Sequence, residues 1–271
     1  MSTEPRVLIL VVLALGLMGL LVGSFLNVVI ARVPLGQSVL APASACPACG
    51  SAIRWRDNVP VASWLILRGR CRDCSAPISA RYPIVELGTS VLWMVLAAWA
   101  LTTSDASGLL PLLLVLASAG LALAVIDGHY HRLPDALVLP LIGVTVVGLL
   151  VSQAVSGTGH WIGALAGAAI WLAVIGGLWL VTGGRGMGLG DVKLAPVLGA
   201  TLGWISVGSA VIGLLAAFVL GACVGLALIA GHRVERRTRI AFGPFLLAGA
   251  LVCVLAGVPL WTMYTRVSGI S

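Results

Sequence analysis

Residues 136–184 carry no charged side chain, and neither do residues 7–31, 194–232 or 240–265. A fifth stretch, 82–126, is broken only by Glu86 and Asp105. A helix that crosses a bilayer needs about 20 consecutive apolar residues, so these runs leave room for roughly eight spans and little else. Only 9% of the chain is charged, far below the roughly 25% of soluble domains. No alternation of polar and apolar residues marks a membrane β-barrel. The class expected is therefore all-α: a polytopic membrane protein of about eight transmembrane helices with one polar insertion, its solvent the lipid bilayer.

The spacing predicts spans near 7–31, 83–103, 109–126, 136–151, 161–181, 191–206, 208–230 and 243–262. The first is read as a retained span, because its 25 apolar residues exceed the hydrophobic region of a secretory signal. Three parts follow: 1–31 as the first span, 32–82 as a cytoplasmic cysteine-containing loop, and 83–271 as a helical membrane domain. With 32–82 placed inside, fourteen of the sixteen basic residues fall on the cytoplasmic side, including four in Arg233–Arg239. Basic loops stay cytoplasmic, which orients both termini outward. The net charge of +7 then reports topology and contact with anionic headgroups. No basic soluble face exists to bind nucleic acid.

The insertion holds Cys46-Pro-Ala-Cys49 and Cys71-Arg-Asp-Cys74, two Cys-x2-Cys knuckles separated by 21 residues. Two such knuckles can each turn two thiolates toward one tetrahedral zinc ion. Disulfides are the alternative, and a reducing compartment disfavours them. Four cysteines would leave no open coordination position, so the expected role is structural. Cys223 and Cys253 lie within spans and read as small apolar fillers.

Of nine acidic residues, Glu4, Asp57, Asp73, Asp105 and Glu235 lie in polar segments where solvated charge accounts for them. Glu86, Asp127, Asp135 and Asp191 lie at span edges, where a carboxylate needs compensation and is a functional candidate. Asp127 is expected to end the third span and Asp191 to start the sixth, two complete spans later, so both should emerge at the cytoplasmic face. Two carboxylates at one depth can share a proton and activate a water. Taken singly, Asp191 also reads as a helix cap and Asp127 as a headgroup-level charge. Asp135, after Pro134, suits the positive end of a helix. Gly188 and Gly190 remove bulk before Asp191 and permit close backbone approach. Lys193, the single lysine, either anchors at the headgroups or places a positive charge near the pair. His129 and His131 flank Tyr130 and read as solvated loop residues.

Taken in order, these residues resemble the type IV prepilin peptidases, polytopic aspartic proteases of the bacterial inner membrane. The resemblance runs through Gly23-Ser-Phe-Leu-Asn27, Arg32-Val-Pro34, both knuckles, Trp55-Arg-Asp-Asn-Val-Pro60, Ser63-Trp64 and Leu67-Arg-Gly-Arg-Cys71. It continues through Arg81-Tyr-Pro-Ile-Val-Glu86, Ile126-Asp127, Pro134-Asp135, Gly188-Leu-Gly-Asp191-Val-Lys193 and Phe242-Gly-Pro-Phe245. It implies catalytic roles for Asp127 and Asp191, supported by Gly188, Gly190, Lys193 and Asp135. It also implies prepilin or pseudopilin substrates, cut after a glycine at the cytoplasmic face. Many members with the cysteine-containing segment also methylate the new amino group from S-adenosylmethionine, which makes Glu86 a candidate to hold a cationic amine or the sulfonium, with an anchor paired to Arg81 as its other reading. Two competing classes remain: a proton- or ion-coupled transporter using the boundary aspartates, and a zinc-stapled membrane scaffold.

Overall fold

A computed structural model describes residues 4–103, 106–231 and 241–268. Among the described residues it is helical, with two isolated β-bridges. The helices are α1 (Pro5–Arg32), α2 (Ala62–Ile66), α3 (Arg81–Thr102), α4 (Leu110–Tyr130), α5 (Asp135–Ser156), α6 (Trp161–Thr182), α7 (Leu189–Ile205), α8 (Val207–Ala230) and α9 (Gly243–Ser268). Seven of them, all but α2 and α7, are long and apolar enough to cross a membrane. The chain is a multi-pass membrane protein. The eighth expected span is α7, whose 17 residues reach only about 26 Å at the helical rise, short of the roughly 30 Å hydrocarbon core. The basic segment Arg233–Arg239, with Asp105, lies outside the described residues.

Two compact units divide the chain, 1–122 and 123–271. In the first, α1 and α3 pack antiparallel through small residues. A Cβ on Gly16 would lie 2.7 Å from the Met94 side chain, one on Gly19 2.9 Å from Ser90 Cα, and one on Gly23 2.7 Å from Glu86 Cα. Glycines at this spacing let two backbones approach as membrane helices prefer. The Ser90 hydroxyl donates to the Gly16 carbonyl at 2.8 Å, and Trp93 Nε1 donates to Ser118 Oγ on α4 at 2.9 Å. The opposite side of α1 presents Leu10, Leu13, Leu17 and Leu21, all exposed, as a lipid-facing helix must.

In the second unit α7 is the central helix, touching α5, α6, α8 and α9. Ten of its residues are buried. Gly199 and Gly203 meet the Gly167 and Gly163 carbonyls of α6 at backbone contact. That burial explains its short length: a helix walled in by protein does not have to match the lipid thickness.

Candidate active site

α4 does not stop at Asp127. It runs one further turn to Tyr130, because Gly128, His129 and Tyr130 are compatible with helix even though they end the apolar run. Asp127 is therefore an internal residue of the last turn, and it is buried. His129 sits on that same turn and His131 just beyond it, both exposed. Asp191 is also buried, at the third position of α7 rather than at its cap. Its Oδ2 accepts from the Gly188 N–H at 3.0 Å, half of a capping box in which the side chain reaches back to an otherwise orphaned amide.

The two carboxylates converge on the start of α9. The Gly243 N–H donates to Asp127 Oδ2 at 3.1 Å. An added Cβ on Gly243 would stand 2.8 Å from Asp127 Oδ2 and 3.4 Å from Asp191 Oδ1, so one small volume lies within reach of both side chains. Asp191 Oδ1 is buried and has no hydrogen-bond partner. A buried carboxylate oxygen without a donor is costly, and a shared proton or a water between the two acids would satisfy it.

The neighbouring candidates divide. Gly188 is exposed and open on the side away from Asp191. Gly190 is not open: a Cβ there would meet Leu133 Cβ at 2.6 Å, so this glycine serves the packing of α7 on the segment before α5. Lys193 Nζ reaches Asp135 Oδ1 and Oδ2 at 2.7 and 2.8 Å. The lysine is thus an ion-pair partner that ties the start of α7 to the start of α5, and Asp135, the first residue of α5, belongs to that pair.

The other expected sites lie in the first unit. The four sulfurs of Cys46, Cys49, Cys71 and Cys74 are all within 4.8 Å of one another, with Cys46 and Cys74 Sγ 3.8 Å apart. None is in a disulfide. The knuckles are built alike. Gly50 N–H donates to the Cys46 carbonyl and Ser75 N–H to that of Cys71, with Gly50 and Ser75 both at positive φ. Hydrogen bonds with the Ser51 side chain, then its backbone, lower the Cys49 thiol to about 6, toward the thiolate that binds metal. Arg72 chelates Asp57 and Arg54 pairs with Asp73 at 2.9 Å, closing the polar loop around the cluster. A set of four cysteines with these separations could hold a zinc ion.

Beside it, between the loop, the C-terminal end of α1 and the N-terminal end of α3, lies a cavity of about 730 Å³ lined by Asn27, Trp64, Arg81 and Glu86 among others. Glu86 is buried, and its Oε2 accepts from the Val61 N–H at 2.7 Å. An anchoring pair with Arg81 does not form. Arg81 instead lies over the Tyr82 ring, with its Nε buried and unpartnered.

Residues 17–100 match the bacterial peptidase A24 N-terminal domain, and residues 114–226 match the type IV leader peptidase family. The prepilin leader peptidase/N-methyltransferase of Burkholderia pseudomallei strain 1026b is 37% identical over 91% of this chain and 85% of its own. The chain belongs to the type IV leader peptidase family. Proteins of the same name from Pseudomonas putida, 39% identical over 93% of each chain, and from Stutzerimonas stutzeri, 36% identical over 98% of this chain and 96% of its own, agree. No solved structure matches. Membership in a leader peptidase family leaves the transporter and scaffold readings without support.

Sequence reasoning places Gly243 in the Phe242-Gly-Pro-Phe245 segment but gives it no role, since nothing in spacing ties it to an aspartate 116 positions away. It misses Asn27 and Arg81 as site residues too, although an asparagine inside an apolar span is a visible signal. For a leader peptidase built this way, Asp135→Asn is expected to keep cleavage of a peptide substrate within about fivefold, because a solvent-reachable ion pair contributes ~0–1 kcal/mol. A loss as deep as that from altering Asp127 would place Asp135 in the chemistry.

Proposed function

We propose that this protein is a membrane aspartic endopeptidase that removes the leader of type IV prepilins or pseudopilins after a glycine, at the cytoplasmic face of the bacterial inner membrane. The observation that carries this reading is the convergence of two buried carboxylates, Asp127 and Asp191, on one volume beside Gly243. Two acids this close cannot both ionise cheaply, so the pair holds one proton between them. One carboxylate takes a proton from water as its oxygen bonds to the scissile carbonyl carbon. The other acid donates its proton to the carbonyl oxygen; as the C–N bond breaks, the first acid passes the proton it took from water to the leaving amine, and the second recovers its proton from a hydroxyl as the tetrahedral carbon collapses to the new carboxyl group. Gly188 lends its N–H to Asp191, Gly243 lends its N–H to Asp127, and the Lys193–Asp135 pair holds the start of α7 in place. The charge distribution of the loops supports the cytoplasmic orientation. Purified protein incubated with a prepilin-like peptide carrying a Gly–Phe junction should cut at that bond, and an uncut peptide would sink the proposal.

A second activity, methylation of the new amino group, is favoured by the cavity of the first unit. The buried, unpartnered Arg81 Nε suits a carboxylate, Trp64 offers an aromatic wall, and Glu86 offers a negative charge. This donor set fits S-adenosylmethionine, which supplies an electrophilic methyl on a sulfonium when bound. Arg81 would hold its carboxylate end. Cleaved peptide recovered after incubation with the donor should carry one methyl group; recovery without added mass would remove this half of the function.

The cysteine cluster is proposed to bind one structural zinc per chain. Two sulfurs each held about 2.3 Å from one tetrahedral zinc stand apart by nearly the 3.8 Å that separates Cys46 from Cys74. Changing any one of the four to Ser should cost more than the ~10–100-fold in affinity typical of losing a supporting group. It should also loosen residues 32–82 to proteolysis. Metal analysis of the purified protein decides the matter: no zinc, with the four cysteines oxidised in fresh membranes, would refute it.

A further inference from the structure

Asn27 is 2% exposed, in the α1 turn that follows the Gly23 contact with Glu86 Cα. Its Nδ2 donates to the Gly23 carbonyl at 3.3 Å and to the Tyr82 carbonyl at 3.1 Å. Both partners are acceptors, so the amide orientation is fixed by the network. Asn27 Oδ1 is left buried and without a partner, in a side chain that lines the same cavity as Glu86. Burying an amide oxygen unpaired costs about 1–3 kcal/mol, and while the Nδ2 hydrogen bonds tie α1 to the start of α3, they leave that oxygen's need for a donor unmet.

An orphan amide oxygen and a carboxylate in the lining of one cavity, on helices in contact at Gly23 and Glu86, offer acceptors and a negative charge. Their complement is a cation bearing N–H groups. A sulfonium carries charge but no N–H and would leave Asn27 Oδ1 as it is. A carboxylate or phosphate would be repelled at this end by Glu86 and would sit toward Arg81 instead.

We infer that Asn27 and Glu86 form an ammonium-binding site that receives the α-amino group of the processed substrate, the group to be methylated. This rests on the methylation reading above and assigns Glu86 to the acceptor rather than to the methyl donor. Asn27 Oδ1 accepts one N–H of the ammonium and Glu86 a second. One proton passes from nitrogen to the Glu86 carboxylate, the N–H electron pair stays on nitrogen, and the amine becomes a neutral nucleophile. Gly23 is what permits the arrangement: any side chain there would part α1 from α3 and separate Asn27 from Glu86.

The test is equilibrium binding to the full-length detergent-purified protein of a synthetic peptide with the mature amino-terminal sequence, free or acetylated at its α-amine. The wild type should prefer the free amine by about tenfold or more, the order of one charge-assisted hydrogen bond of ~1.5–3 kcal/mol. Asn27→Ala and Glu86→Gln should each erase most of that preference while binding the acetylated peptide as the wild type does, which also shows that they fold. Glu86→Gln keeps an acceptor for the Val61 N–H, so it remains informative if Asn27→Ala fails to fold. No preference in the wild type, or full preference in Glu86→Gln, would overturn the inference. S-adenosylmethionine is titrated in parallel. Weakened donor binding in the variants with the peptide preference intact would assign the site to the donor's own amino group and overturn the substrate assignment. An intact, variant-sensitive amine preference without any methyl mass on cleaved peptide would instead reject the methylation reading and leave the amine site standing.

Discussion

Asp127→Asn and Asp191→Asn should each abolish detectable cleavage of a prepilin-like peptide while the protein still inserts and binds substrate. The substitution preserves shape at both positions. An Asn oxygen at 127 can still accept from the Gly243 N–H, now 3.1 Å from Oδ2, and one at 191 can still accept from Gly188. What disappears is the shared proton and the base. General acid–base catalysis is worth about 10²–10⁴-fold, and in a pair that acts as one unit the whole of it goes with either member. The double variant should therefore be hardly slower than the singles, whereas independent residues would multiply. Single-turnover cleavage measured on all three variants separates the cases. Near-normal cleavage by either single variant would refute the pair, and so would loss of the chemical step on adding a chelator.

The spans were legible because lipid imposes a long, charge-free run on every crossing, and seven of the eight runs became helices of that kind. α7 was legible as a helix but not as an exception: its shortness follows from partners on several sides, which a single sequence does not display. Asp127 shows the limit of reading hydropathy as helix. The apolar run ends at this residue, yet the helix continues to Tyr130, and the carboxylate is buried within the protein. The cysteine cluster was readable from spacing alone, since two short knuckles leave few other ways to bring four sulfurs together. Glu86 was readable as an acid at a span edge, but its partner was not. The Val61 amide comes from a polar loop whose path depends on the knuckles, so a backbone donor stands where the alternative reading had placed Arg81. The same holds for Lys193, read as a headgroup anchor or a charge near the aspartate pair, whose partner Asp135 arrives on a different helix.

Gly243→Ala should slow cleavage by about 10²-fold or more with little change in thermal stability. Its backbone does not lie in the left-handed region, and alanine at the first position of a helix is well tolerated, so the new methyl group is the only disturbance. That methyl would stand 2.8 Å from Asp127 Oδ2, 3.4 Å from Asp191 Oδ1 and 3.4 Å from Leu133 Cδ1. The first distance cannot be kept, because a carbon and an oxygen in contact cannot approach so closely without one of them moving. Either Asp127 swings away and loses its Gly243 N–H, or the start of α9 retreats and removes the donor itself. In both cases the volume between the acids is filled by carbon where a water would sit, and a displacement near 1 Å in a reacting group can cost about 10²-fold. Gly128→Ala makes the contrasting variant. It alters the residue directly after Asp127 in the chain, yet a Cβ there meets nothing within 4 Å, so cleavage should survive. If rank followed proximity in sequence, Gly128→Ala would be the damaging change. Slow cleavage by Gly243→Ala with normal cleavage by Gly128→Ala places the reactive volume beside α9, and equal rates for the two would move it elsewhere.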